Sequence, residues 1–265
     1  MPIALVVVAL IGGCKFRFDE RTDARTSDAS DAMITIDAPP NHDEDGDGTP
    51  DIADTCPHIA GPLTDGDGDG VGDLCDPEPM NNRQRLVLFD PFVNASGWTI
   101  VTGDWMPQGD ALRVDTDAVY GELKRPLAFQ AGVIEFGTDV VARTPNATQL
   151  QVTFAPIVAL TMPYNYVEAF EFNPSPGYAS FSEFDGSIFR PVAQVPMTTG
   201  VHPGPLTLRL KIIPPANYEI YVGWPGEPYT PGGTAGMAFP ATAELHFGAQ
   251  GVVVDVRYAV VIATN

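Results

Sequence analysis

Positive charge is scarce in this chain: 14 Lys and Arg stand against 34 Asp and Glu, a formal net charge of −20 over 265 residues. A surface of that sign repels nucleic acid and anionic lipid headgroups, and no basic patch offsets it. Histidine is rarer still. His58, His202 and His246 are scattered without metal spacing, and His42 lies beside an acidic segment. The absence of any Gly-x-Ser-x-Gly turn excludes a hydrolase nucleophile elbow. Long apolar runs are missing too: residues 3–13, IALVVVALIGG, are too short to span a bilayer. No amphipathic helical pattern exceeds two turns, while 26 Gly and 26 Pro suit a loop-rich β protein.

What the chain does have is acid in a pattern. Residues 1–80 carry 18 acidic and 4 basic residues, against 16 and 10 in the remainder. Within 42–79 one motif occurs twice, offset by 22 residues. The first copy places Asp43, Asp45, Asp47, Asp51 and Asp54 at positions 1, 3, 5, 9 and 12, with Gly48 at position 6. The second places Asp65, Asp67, Asp69, Asp73 and Asp76 in the same slots, with Gly70. This is the ligand spacing of a calcium loop. Ca²⁺ takes six to eight oxygens, alternate residues turn carboxylates inward, and position 7 (Thr49, Val71) offers a backbone carbonyl. Glycine permits the sharp turn. A solvated acidic linker is the plain alternative, but a random acidic run would not repeat with glycine in register. Two calcium ions are expected.

The repeats, with Cys56-Pro57 after the first and Cys75 in the second, resemble thrombospondin type 3 repeats, calcium-wrapped modules of extracellular proteins. The resemblance covers about 35 residues and implies a Cys56–Cys75 disulfide, worth about 3 kcal/mol in the chain-entropy model. Ile52, Ile59, Leu63, Val71 and Leu74 are too few for a core, so metal and disulfide must replace one. The metal-free segment is expected to unfold locally.

Ahead of the repeats, residues 1–13 look like the end of a secretory signal. Ile11-Gly12-Gly13-Cys14 resembles a bacterial lipobox, which implies a lipid on Cys14 and attachment to a membrane. One bridge plus one anchor then uses all three cysteines. Residues 14–41 are polar, with Pro39-Pro40 near their end, and form a disordered, lipid-anchored tether. It spans on the order of 30 Å. Lys15 stands where an Asp would oppose outer-membrane delivery in the best-known sorting rule. The location implied is the bacterial cell envelope.

Residues 81–265 change character. Short alternating runs recur between Gly and Pro punctuation: Arg85–Phe89, Ala111–Val114, Gly132–Phe136, Gln149–Phe154, Tyr164–Phe172, Leu206–Ile213, Tyr218–Val222, Glu244–Phe247 and Val252–Ile262. They predict a mainly β fold, an antiparallel two-sheet β-sandwich of jelly-roll type. In order, Phe89-Asp90-Pro91-Phe92, Gly97-Trp98, Gly103-Asp104-Trp105, Gly109-Asp110-Ala111-Leu112 and the closing Phe247-Gly248 and Gly251–Val256 resemble a concanavalin A-like or laminin-G-like domain. That superfamily holds glycan binders, glycosidases and adhesive modules, so the resemblance does not choose among them.

Catalysis is not expected. A glycosidase needs a carboxyl pair about 5–9.5 Å apart; the nearest pattern, Glu183-Phe184-Asp185, lacks a third acid, and Glu168 and Glu171 fall on opposite strand faces. For ligand contact, Trp224 and Tyr229 in the loop GWPGEPYTPGG are candidates to stack on a sugar, with packing an equal alternative for Trp224. Tyr164, Tyr166 and Tyr178 are further candidates. Trp98, Trp105, Phe89 and Phe92 are assigned to the core, and Asp90 and Asp255 to turns rather than to a further calcium. The function expected is calcium-supported, non-catalytic binding of a glycan or surface protein, with a structural spacer as the alternative.

Overall fold

Alternation of buried and half-exposed residues sets the sheets. The computed structural model describes residues 35–117, 120–128, 131–143, 148–156, 164–171, 177–184, 189–213, 217–230, 232–234 and 242–264. In chain order the strands are β1 (Thr35–Ile36), β2 (Gln84–Asp90), β3 (Thr99–Thr102), β4 (Met106–Pro107), β5 (Leu112–Asp115) and β6 (Gly121–Ala128). Next come β7 (Gly132–Arg143), β8 (Thr148–Pro156), β9 (Tyr164–Glu171), β10 (Tyr178–Phe184), β11 (Phe189–Pro196) and β12 (Gly204–Ile213). The chain closes with β13 (Asn217–Trp224), β14 (Glu227–Tyr229), β15 (Gly232–Thr234), β16 (Thr242–Gln250) and β17 (Val252–Thr264). Among the described residues the only helical element is a 3-10 turn, Asp51–Ala53. Cys14 and residues 1–34 lie outside them.

Two sheets face each other. One runs β1-β2-β17-β7-β12-β13-β14, with β15 on β13, β5 on β17 and β4 on β5, and counts ten strands. The other runs β11-β10-β9-β8-β16-β6-β3 and counts seven. Among the described residues every pairing is antiparallel except β1 with β2, where Thr35 lies opposite Leu88 in parallel. This is the expected two-sheet sandwich.

The core lies between the sheets. Leu206, Leu208, Leu210 and Ile212 of β12 and Tyr218, Ile220 and Val222 of β13 face inward, as their period of two requires. Across the gap, Phe136 stacks on Phe247 at 5.3 Å and Phe181 on Tyr218 at 3.8 Å between ring centroids. Trp98, Trp105 and Phe92 join the same core.

A second, smaller cluster sits on the outward face of the ten-stranded sheet. Strand β17 makes it possible: Val252, Val254 and Val256 point inward, then a bulge between Val256 and Tyr258 shifts the phase. Beyond it Ala259 and Val261 point inward while Val260 and Ile262 point out. Those two join Leu86 and Phe89 of β2 around Val71, which comes from the second acidic repeat. Phe89 is thus fully buried as expected, but beneath the repeat segment rather than between the sheets. Residues 33–265 accordingly form one compact unit.

Strands β1, β3, β4, β6, β10, β11, β14 and β15 have no counterpart in the runs read from the sequence. Proline hides two of them. Pro191 and Pro196 fall on β11, an edge strand, where a missing N–H costs no ladder bond. Pro126 lies beyond the part of β6 that β3 reaches, so that side of the strand is open there.

Candidate metal centres and adjoining cleft

The two repeats close with the same hydrogen bonds. In the first, Asp43 accepts from the amides of Gly46 (2.9 Å) and Gly48 (3.0 Å); in the second, Asp65 accepts from Gly68 (2.7 Å) and Gly70 (2.9 Å). The position-5 carboxylates accept from position 7: Thr49 N–H to Asp47 at 2.8 Å, Val71 N–H to Asp69 at 2.9 Å. Gly48 (φ 97°) and Gly70 (φ 92°) occupy the left-handed region these turns require.

This folding gathers Asp43, Asp45 and Asp47 into one triad and Asp65, Asp67 and Asp69 into another, each with carboxylate oxygens within 4.8 Å of one another. Asp54 and Asp76, at position 12, lie close enough for the triads to act on them. Burial raises the pKa of both, with Asp47 adding repulsion on Asp54 and Asp69 and Asp67 on Asp76. Burial, with Asp47, Asp54 and Asp43, likewise lifts Asp45 to about 6. The structure does not gather Asp51 and Asp73 into the triads. Each caps the position-2 amide of its own loop, Glu44 N–H to Asp51 at 2.9 Å and Gly66 N–H to Asp73 at 2.8 Å; Asp51 also meets His42 Nδ1 at 2.7 Å.

The donor set fits a hard cation. Asp45 Oδ2, both oxygens of Asp67 and Asp76 Oδ2 are buried without a hydrogen-bond partner among the described residues. Buried carboxylate oxygens with no donor are costly unless a cation meets them.

Cys56 and Cys75 are bonded, as the repeat resemblance implied. Gly72 belongs to this joint: a Cβ there would lie 2.7 Å from Thr55 Oγ1 and 2.8 Å from Cys56 Sγ.

The repeats are fastened to the sandwich by different means. Asp69 Oδ2 accepts from the backbone N–H of Gln84, which opens β2, at 2.8 Å. Glu44 holds Arg257 of β17 at 3.2 Å; burial outweighs that partner and lifts its carboxyl to about 7. His58, between the repeats, reaches a buried carboxylate, Glu135 of β7, at 3.8 Å. Glu135 also pairs with Arg209 of β12 and accepts from the Tyr258 hydroxyl at 2.8 Å. Burial works to raise the Glu135 carboxyl, but His58, Arg209 and Tyr258 outweigh it and hold it below the usual range. Burial lowers the His58 imidazole, against the pull of Glu135. The sequence hints at this network only through one acid in the apolar run Gly132–Phe136.

Beside this network lies a cleft of about 560 Å³, walled by the second repeat on one side and the outward face of the ten-stranded sheet on the other.

Trp224 and Tyr229 are buried rather than displayed in an exposed loop. Trp224 is 2% exposed and Tyr229 7%, and both join the sandwich core. The Trp224 indole N–H donates to the His202 carbonyl at 3.1 Å and its ring stacks on His202, while the Tyr229 hydroxyl accepts from Thr198 N–H at 2.8 Å. The loop is a tight hairpin of β13 and β14, so its aromatics fall into the pleat and turn inward.

Asp90 finishes a turn, accepting from Phe92 N–H at 2.9 Å and from the Trp98 indole at 2.7 Å, and burial lifts it to about 6. Asp255 forms a two-pronged pair with Arg113, both bonds 2.6 Å. By register Glu183 lies opposite Arg190 and Asn165, and Glu168 opposite Ser180, while Asp185 falls outside the described residues. On the seven-stranded sheet, Glu122 meets His246 Nδ1 at 2.7 Å and both oxygens of Glu244 accept from Lys124, at 3.0 and 3.1 Å.

This geometry agrees with what the chain is similar to. The thrombospondin type 3 repeat model matches residues 37–62, the first acidic repeat. Solved structures resemble the sandwich at low identity and so show its fold. The CBM2 module of an evolved Dit from Lactobacillus casei BL23 phage J-1 is 8% identical, with a TM-score of 0.56 over 69% of this chain and 97% of that one. A Bacillus licheniformis β-glucanase is 10% identical, at 0.53 over 67% and 98%. The exoplasmic/lumenal domain of VIP36, in its Ca²⁺/Man3GlcNAc-bound form, is 8% identical, at 0.51 over 65% and 86%. No curated protein matches the chain.

Proposed function

We propose that this is a calcium-binding protein of the bacterial cell envelope whose β-sandwich binds glycan without cleaving it, held at a membrane by a lipid on Cys14. The observation that carries the reading is the donor-less carboxylate oxygens of Asp45, Asp67 and Asp76, in repeats fastened to a sandwich of lectin-like fold. Calcium would be held by Asp43, Asp45, Asp47, the Thr49 carbonyl and Asp54, and again by Asp65, Asp67, Asp69, the Val71 carbonyl and Asp76. It supplies the positive charge that lets these acids pack together.

Glycan as the ligand is supported by the neighbours: one is a carbohydrate-binding module by name and another holds Man3GlcNAc. A β-glucanase shares the same fold, so the fold alone does not separate binding from cleavage. Binding is favoured because the nearest catalytic pattern, Glu183-Phe184-Asp185, lacks a third acid. An open cleft beside the second repeat speaks against a mere spacer.

The test is a glycan and envelope-polysaccharide screen of the full chain in millimolar calcium and again in chelator, with a reducing-end assay on every glycan captured. Capture without release of reducing ends is expected. Release would make it a glycosidase, and no capture would favour the spacer. Incorporation of labelled fatty acid, lost in Cys14→Ser, tests the anchor.

A further inference from the structure

The cleft has the chemistry of a sugar site. Sugar rings pair a rim of hydroxyls, each able to donate and accept, with a flatter apolar C–H face. Arg209 and Lys211, two residues apart on β12, project donors to the same side of the sheet. Glu219 lies opposite Lys211 on β13 and adds an acceptor. The Lys211 ammonium has no carboxylate within 4 Å among the described residues; its one hydrogen bond, to the Pro77 carbonyl, is long at 3.4 Å. The Arg209 side chain is 42% exposed although one edge is held by Glu135. The apolar component is Leu74, 47% exposed on the repeat side, and Tyr221, whose ring lies under the Arg209 guanidinium at 5.9 Å. Buried His58 also lines the cleft, and its Nδ1 has no hydrogen-bond partner among the described residues.

We propose that this cleft is the glycan site, taking a neutral hexose or hexose pair between the second repeat and the sheet. Arg209, Lys211 and Glu219 would bind hydroxyls, with the apolar ring face against Leu74 and Tyr221. The proposal rests on the glycan-binding reading and gives it a place. It also joins sugar to metal, because Asp76 is both a cleft wall and the position-12 carboxylate of the second repeat. Calcium there holds that wall, so each ligand tightens the other by the same factor.

The experiment is calorimetric titration of the full chain with cellobiose, laminaribiose, mannobiose and N,N′-diacetylchitobiose in millimolar calcium, with longer glucans, mannans and chitin oligomers if no disaccharide binds. At least one probe is expected to bind, and Lys211→Ala and Tyr221→Ala each to weaken it by about tenfold, the loss of one charged hydrogen bond or one ring contact. Melting temperature in calcium checks that the variants fold. Should Tyr221→Ala fail that check, sugar protection of Lys211 from acylation, read by mass spectrometry, replaces it. Chelation is expected to weaken the same probe. Binding that survives both substitutions overturns the cleft and leaves glycan binding standing. If no probe of either length binds in calcium, the glycan-binding reading fails and the cleft falls with it.

Discussion

The two acidic repeats share one internal geometry and differ in what surrounds them. Their glycine turns and amide-to-carboxylate bonds match position by position. Position 7 separates them: Thr49 is half-buried, while Val71 is inserted among Leu86, Phe89, Val260 and Ile262. The first repeat is held by a charge pair, Glu44 with Arg257; the second by apolar packing and an amide of β2. Local pattern therefore makes the loop, and the variable position decides what it is attached to. Charge pairs with one exposed partner contribute little, whereas a buried valine contributes about 2 kcal/mol.

The comparison can be broken most severely by removing the metal. If each site is filled at about a thousand times its dissociation constant, calcium adds about 4 kcal/mol per site. A chelated sample is therefore expected to melt at clearly lower temperature and to be cut by protease within 43–76. Equal melting in calcium and chelator would refute calcium as the structural ligand. Replacing both Cys56 and Cys75 by Ser should cost about 3 kcal/mol, read from denaturant unfolding in calcium, and should expose both repeats together.

Smaller changes sharpen the contrast. Val71→Ala should cost about 2 kcal/mol and Thr49→Ala no more than about 0.5. Equal effects would mean that the second repeat is not anchored by its valine. A further effect concerns the sandwich alone. Asp90 titrates at about 6 in the folded protein because burial disfavours its charge. Its folded pKa is raised, so the native state holds the proton more tightly and stability falls as pH rises through the window between about 4 and 6. From pH 5 to 7 the loss is about 1 kcal/mol. Asp90→Asn should remove its share of the pH 5–7 slope, in saturating calcium, while retaining an acceptor for Trp98; the share from Glu44, lifted to about 7, should remain.

Much of the sandwich was legible because its strands obey a period of two, as in Leu206 to Ile212. The disulfide followed from the repeat resemblance. Local pattern misled where long-range packing decides. Trp224 and Tyr229 sit among Gly and Pro, which reads as an exposed loop, yet the β13–β14 hairpin turns both rings inward. Glu135 and His58 meet from 77 positions apart, and no local spacing announces them. The cleft is hidden for the same reason, its walls coming from segments that only tertiary folding brings together.

The Cys56–Cys75 bond has a mechanical consequence. Tension entering from the N-terminal side passes Thr35–Ile36, runs through residues 43–56, crosses the covalent bridge and continues from Cys75 into β2. Residues 57–74, with Asp65, Asp67 and Asp69, are bypassed and carry no load. A pull along the covalent path from residue 43 to β2 would be borne by residues 43–56, while the bridged loop hangs beside that path.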